Sequence, residues 1–285
     1  MVFIMSNFAK IKDIKHEAIQ RITSGYAEID WLFGYTKFSN GVTHWGMPFG
    51  KITLISGESG TGKSRLCIDI AKRLSTGCKV LYFPAEASLS DFRSWIKGSN
   101  YNSDNFYCSD ETTVAGQLNV IKQIQPLVVF IDSINEVEDF GSGAKRNVKE
   151  LINAYRTVGK NSPCHIILLG QLNQDGSIKG STTLPHLVDI ALIVQASMPG
   201  DTDYFVVKIG IKHRYGRRGK QLMSFWKHEE FGVECASDYR LEDPIWCETH
   251  GIPVTPIGGF KTEDVSQISN VAPKKGTLRN LFFGR

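Results

Sequence analysis

The segment Gly57-Glu58-Ser59-Gly60-Thr61-Gly62-Lys63-Ser64 fits the phosphate-binding pattern G-x-x-x-x-G-K-[S/T] at every fixed position. That pattern works only where a strand runs into the loop and a helix runs out of it. The flanks meet this demand: Lys51-Ile52-Thr53-Leu54-Ile55-Ser56 reads as a short buried strand, and the stretch from Arg65 to Leu74 reads as an amphipathic helix. The glycines let successive backbone N–H groups turn inward around the phosphates of a nucleoside triphosphate. Lys63 reaches the β- and γ-phosphates, and the Ser64 hydroxyl takes a place on Mg²⁺. Gly57 through Ser64, with Arg65 opening the helix, are the expected nucleotide cradle, and the phosphates would sit at a helix N-terminus.

The rest of the chain is consistent with an α/β protein having a mostly parallel sheet. From about residue 21 to 233, apolar runs alternate with helical stretches, as in repeated βαβ units. Core strands are expected at Ile52–Ser56, Lys79–Phe83, Leu127–Ile131, His165–Leu169, Ile190–Gln195 and Phe205–Ile211, with Leu222–Trp226 as an antiparallel edge strand. Several runs are continuously Val/Ile/Leu, the mark of strands covered on both faces. Residues 1–20 read as an N-terminal extension whose Phe8, Ile11, Ile14 and Ile19 form an apolar stripe, to pack on its own domain or on a neighbouring subunit. Residues 234–285, with Pro244, Pro253, Pro256 and Gly258-Gly259, read as an extended arm. It ends in Leu278-Arg279-Asn280-Leu281-Phe282-Phe283, which would either dock on its own domain or capture another protein.

Composition narrows the functional classes only a little. A net charge of +4 with a pI near 8.6 permits nucleic-acid binding without indicating it, so any basic patch must be local. The six cysteines are scattered, with no C-x-x-C pair and no histidine at metal-ligand spacing, so reduced thiols are expected rather than a zinc site. Met1-Val2-Phe3-Ile4-Met5 is apolar, but Asn7, Lys10, Lys12 and Asp13 follow too soon for a signal segment or a membrane span. A soluble, cytoplasmic protein with no membrane partner is expected.

A triphosphatase needs a second Mg²⁺ group, and Leu127-Val128-Val129-Phe130-Ile131 delivers Asp132 to the end of a buried strand. A simple helix-capping aspartate remains the alternative. The next residue is Ser133, where many ATPases carry the glutamate that activates water. The base must then come from elsewhere. Glu86, just past the strand Lys79–Phe83, would face the γ-phosphate if the two strands are parallel neighbours; otherwise it is a surface or capping glutamate. Gln171, after His165–Leu169 and Gly170, is either a γ-phosphate sensor or an ordinary turn residue. Lys212-His213-Arg214-Tyr215-Gly216-Arg217-Arg218-Gly219-Lys220 packs six basic residues into nine. It would be a solvated hairpin, a phosphate-binding edge, or a set of cationic fingers for a neighbour's transition state.

These residues resemble the RecA-like ATPases, most closely the RadA/Sms branch, with replicative hexameric helicases of the DnaB type as cousins. Arg21-Ile22-Thr23-Ser24-Gly25 with Glu28-Ile29-Asp30 looks like the lead-in "R-I-x-T-G-x-x-E-L-D", and Glu86-Ala87-Ser88-Leu89 looks like "E-E-S-L". Gly170 to Gly180, then Leu184, His186, Val188 and Asp189, is similar to "G-H-V-T-K-x-G-x-I-A-G…L-x-H-x-V-D". Lys212-His213-Arg214-Tyr215-Gly216 looks like "K-N-R-F-G". Four motifs in order span about 200 residues. The resemblance implies a Mg²⁺-dependent, DNA-stimulated ATPase forming a ring or filament, with ATP between subunits. It implies Glu86 as base, Lys212 and Arg214 as fingers acting in trans, and Arg93 against the adenine.

The pattern also departs from the family. The four-cysteine zinc module and the protease-like domain that flank the RadA core are not among these residues, so their functions do not carry over. His213 replaces Asn, Tyr215 replaces Phe, and Gln171 replaces His, the last as in RecA and DnaB. Single-stranded DNA would be met by the loops after the Asp132 and Gln171 strands. The first carries Lys145, Arg146 and Lys149, the second Lys179, for electrostatic and sequence-neutral contact; otherwise these are ordinary solvated loops. The leading expectation is an ATPase that oligomerises on single-stranded DNA in recombination or repair, by annealing or branch migration. A replicative helicase motor and a clock-ATPase-like assembly or signalling protein that ignores DNA are the alternatives.

Overall fold

The computed structural model describes residues 18–96, 103–138, 148–173, 178–179, 181–196 and 204–215, and the backbone of 222–228 and 232–235. Nearly all of the N-terminal extension and the C-terminal arm, together with Lys145, Arg146 and the basic residues from 217 to 220, lie outside these.

Six parallel strands form the heart of the molecule. They are β5 (Ile52–Gly57), β6 (Val80–Pro84), β7 (Phe106–Cys108), β8 (Val128–Asp132), β9 (His165–Gln171) and β10 (Ile190–Ala196). The sheet order is β10-β5-β9-β8-β6-β7. Three antiparallel strands extend it past β10: β11 (Tyr204–His213), β12 (Leu222–His228) and β13 (Gly232–Cys235). The expected strand at Leu222–Trp226 is antiparallel but is not the edge. The next strand, β13, begins within four residues of its end and pairs with it, and so takes the edge.

The continuous apolar runs are explained by two covered faces. On one side, Tyr82, Phe130, Ile167 and Leu169 join Leu66, Ile70 and Leu74 of α2 (Lys63–Leu74) and Phe92 of α3 (Leu89–Ile96). On the other, Leu81, Phe83, Val129, Ile131, Ile166 and Leu168 join Val114 and Ile121 of α4 (Val114–Ile124) and Leu151, Ile152 and Tyr155 of α5 (Val148–Asn161). Consecutive residues of one strand thus serve opposite layers.

The lead-in segment is more structured than its motif suggests. β1 (Arg21–Ile22) pairs with β4 (Met47–Pro48), β2 (Tyr35–Lys37) pairs with β3 (Thr43–Trp45), and α1 (Ala27–Phe33) buries Ile29, Leu32 and Phe33 in the core. Arg21, only 2% exposed, sits at its centre. Its guanidinium donates to Thr36 Oγ1 (2.8 Å), Phe33 O (3.1 Å), Gly46 O (2.8 Å) and Tyr215 O. A further short helix, α6 (Leu184–Leu187), precedes β10.

Candidate nucleotide site

Parallel register builds the site. Pro84 of β6 is level with Asp132 of β8, and Gly57 of β5 is level with Gln171 of β9, so four strands release their functional residues at one end of the sheet. Ligands of open α/β sheets bind outside such carboxyl ends. The loop between β5 and α2 covers that end. Gly57 has no room for a side chain, because a Cβ there would run into Val194 O of β10. Gly62 takes φ +99°, a left-handed conformation that glycine adopts at no steric cost and that lets α2 begin at Lys63.

Ser59, Gly60, Gly62, Lys63, Ser64 and Arg65 line one wall of a cavity of about 350 Å³, and Glu86, Asp132, Ser133 and Gln171 line the other. Gly57, Glu58 and Thr61, expected in the same cradle, do not line the cavity. Lys63 Nζ donates to Gly57 O (2.9 Å) and Glu58 O (2.6 Å), and Thr61 Oγ1 donates to Glu58 O (2.9 Å). Burial lowers the Lys63 pKa, opposed by the negative charge of Asp132 and Glu86.

Asp132 is 8% exposed, and burial raises its pKa against hydrogen bonds from Tyr82 and Ser64. Tyr82 OH donates to Asp132 Oδ2 at 2.7 Å. The hydrogen-bonded Ser64–Asp132 pair presents two hard oxygen ligands to the cavity, which fits Mg²⁺, a cation usually held by one or two protein groups plus phosphates and water. Among the described residues no cluster of three or more His, Cys, Asp or Glu would hold a metal without such help.

Glu86 lies in this cavity, as the strand order requires. Its Oε1 accepts from Ser133 Oγ (2.8 Å) and from Gln171 Nε2 (3.1 Å). A candidate base, a candidate sensor and the residue after Asp132 thereby form one network. In the sequence alone Ser133 stands out only as the position of a missing glutamate, and Tyr82 only as strand core. The polar tip of a tyrosine in an otherwise apolar strand was the available signal for the latter.

Other candidates lie elsewhere. Arg93 is on an exposed face of α3 and does not line the cavity. Lys212 and Arg214 follow the register His213↔Ile190↔Thr53, which sets them at the opposite end of the sheet from this chain's own phosphate loop. There Lys212 donates to His186 O, Arg214 Nη1 lies 3.5 Å from Asp189 Oδ1, and His213 contacts Leu32 O at 2.7 Å. Lys149, in the first turn of α5, and Lys179, after β9, are exposed toward the cavity end of the sheet.

A nine-stranded, mostly parallel sheet with a phosphate loop after its central strand, an aspartate at the end of β8 and a glutamate after β6 defines a RecA-like P-loop ATPase core. The chain belongs to the AAA domain family, whose model matches residues 29–177, more than half of its length. Among similar proteins is the DNA repair protein RadA of Mycolicibacterium smegmatis, 28% identical over 225 residues, covering 75% of this chain and 45% of that protein. The RadA of Aquifex aeolicus is 27% identical over 228 residues, covering 79% and 48%. The chain spans about half the length of these relatives. In fold it is similar to a KaiC-like protein from Pyrococcus horikoshii, with a TM-score of 0.60, 18% identity, and coverage of 77% of this chain and all of that one. The flagellar accessory protein FlaH from Methanocaldococcus jannaschii gives a TM-score of 0.57 at 18% identity, covering 77% of this chain and 99% of that one.

Proposed function

We propose that this chain hydrolyses ATP with Mg²⁺, assembles on single-stranded DNA with nucleotide between subunits, and serves recombination or repair in the cytoplasm. The observation that carries the reading is the convergence of Lys63, Ser64, Glu86, Asp132 and Gln171 on one cavity. Among the described residues no helix is long and apolar enough to cross a membrane.

Each side chain has a chemical task. Lys63 leaves the carbonyls of Gly57 and Glu58 to meet phosphate oxygens. Ser64 and Asp132 would hold Mg²⁺, which would supply neutralisation of phosphate charge when bound. Glu86 orients the attacking water and accepts its proton as the O–P bond forms and the bond from the γ-phosphorus to the β–γ bridging oxygen breaks, releasing ADP. Gln171 meets the γ-phosphate. Lys212 and Arg214 act on a neighbouring subunit's nucleotide; their distance from their own loop supports action in trans. Lys149 and Lys179, with Lys145 and Arg146, contact DNA phosphates.

The test is ATP turnover with and without unstructured oligo-dT at low and moderate salt. Stimulation that fades with salt supports the reading, because phosphate contacts release counterions. Turnover indifferent to DNA would replace it with an assembly ATPase, and directional unwinding of a forked duplex with a helicase motor.

A further inference from the structure

One side chain beyond the cavity joins its sensor to the loop that follows. Asn135 lies in the short 3₁₀ turn Ile134–Glu136, three residues past Asp132. Its Oδ1 accepts from Gln171 N–H at 3.0 Å, and its Nδ2 donates to Lys179 O at 2.6 Å. The amide orientation follows from the partners, since the reverse would set NH₂ against N–H and oxygen against oxygen.

The neighbouring contacts leave little slack. Lys179 N donates to Gln171 O (2.9 Å), Leu172 pairs with Ile178 in an antiparallel bridge, and Leu172 N donates to Gly57 O (3.0 Å), the same carbonyl that Lys63 holds. Ile134 (0% exposed) and Ile178 (4%) are both buried beside Gly170, so the turn and the loop base pack as one unit. Gln171 is therefore pinned along its backbone to the phosphate loop and to Asn135, while its side chain reaches Glu86.

We propose that Asn135 is a positioning residue that transmits the state of the γ-phosphate face of the cavity to the base of the Lys179 loop. The proposal rests on the sensor and DNA-loop reading above and adds the part that links them. A γ-phosphate competes with Glu86 for the Gln171 amide. Any shift of the β9 end is passed through the Asn135 amide to the Lys179 carbonyl, and DNA held by the loop biases the sensor by the same route, because coupling is reciprocal. Asn135→Asp keeps the acceptor for Gln171 N–H but turns a carboxylate toward Lys179 O. Asn135→Leu removes both bonds while keeping the branched shape.

The experiment compares the full chain with both variants by two readouts. The first is the ratio of oligo-dT-stimulated to basal turnover, expected to fall roughly three- to thirtyfold in the variants, the usual span for residues that carry coupling. The second is hydrogen exchange of peptides covering residues 171–179, with ADP against a slowly hydrolysed ATP analogue. The wild-type chain should show nucleotide-dependent protection there, and the variants should lose it while still binding nucleotide. Variants that keep both the stimulation ratio and the protection difference overturn the proposal, as does a wild-type chain whose loop base exchanges identically in both nucleotides. A wild-type chain with nucleotide-dependent exchange that the variants lose, but with no response to DNA, sinks the DNA reading and leaves the Asn135 link standing.

Discussion

Ser133 donates its hydroxyl hydrogen to Glu86 Oε1 across 2.8 Å, joining the end of β8 to the segment after β6. The residue that stands where many ATPases carry their glutamate thus holds Glu86, the base proposed above. Glu86→Gln should bind ATP normally and lose turnover by roughly 10²- to 10⁴-fold, the usual contribution of a general base. Ser133→Ala should cost about tenfold or more, in keeping with about 1.5–3 kcal/mol for a hydrogen bond to a charged group. Single-turnover kinetics with a fluorescent-nucleotide titration separates chemistry from binding. Wild-type turnover in Glu86→Gln would remove Glu86 from the role of base.

Lys63→Ala should cut hydrolysis by roughly a hundredfold or more and also weaken nucleotide binding, the double loss expected of a cation that meets phosphates in both ground and transition state. An equilibrium titration with a fluorescent ATP analogue measures the binding loss. Unchanged affinity would confine Lys63 to the chemical step.

Arg214 lies against Asp189 and away from its own phosphate loop. Arg214→Ala should lower turnover by roughly a thousandfold if it acts as a finger. Mixing it with Lys63→Ala subunits should restore activity, because each supplies what the other lacks. Absence of rescue in mixtures shown by native mass spectrometry to co-assemble would exclude action in trans.

Arg21 donates to the carbonyls of Phe33, Gly46 and Tyr215 and to Thr36 while 2% exposed. Arg21→Ala leaves buried acceptors unpaired and should destabilise the fold by roughly 2–4 kcal/mol. Urea denaturation gives this directly. A loss under ~0.5 kcal/mol would mean that water replaces the guanidinium.

Asp30, buried and accepting from Ser24 N–H at 2.6 Å, has a pKa raised to about 8, chiefly by burial. His165, between Pro48 O and Thr53 Oγ1, is pushed down to about 4, again by burial. Their linkage signs are opposite. The protonated Asp30 favours the folded state at low pH, and this contribution is lost as pH rises through 8. The neutral His165 favours it above pH 6.5, and that contribution is lost as pH falls through 4. Between about pH 4 and 6.5 the two offset. From about pH 6.5 to 8 Asp30 acts alone, and stability should fall by roughly 2 kcal/mol. Urea midpoints across that interval should decline in the wild type and stay level in Asp30→Asn; parallel curves would refute the assignment.

Much of the site was legible because its signals are local. The phosphate loop is eight consecutive residues whose backbone makes the site, so pattern and flanks suffice. The βαβ alternation and the continuous apolar runs announced strands covered on both faces, and six core strands formed within a few residues of their expected bounds. The lead-in strands β1 to β4 and the edge strand β7 were not legible. They are two or three residues long, too short for any period to register.

By itself, the sequence determined a phosphate-loop pattern set between a strand and a helix, and buried parallel strands with polar residues at their ends. Which of those ends met was decided by the tertiary structure. The order β5-β9-β8-β6 brings Ser133 and Gln171 onto one carboxylate oxygen of Glu86, joining the ends of three separate strands, and it sends Lys212 and Arg214 to the far end of the sheet. Strand order and register are set by how both faces bury their apolar side chains at once, a property of the whole core that no stretch of consecutive residues contains.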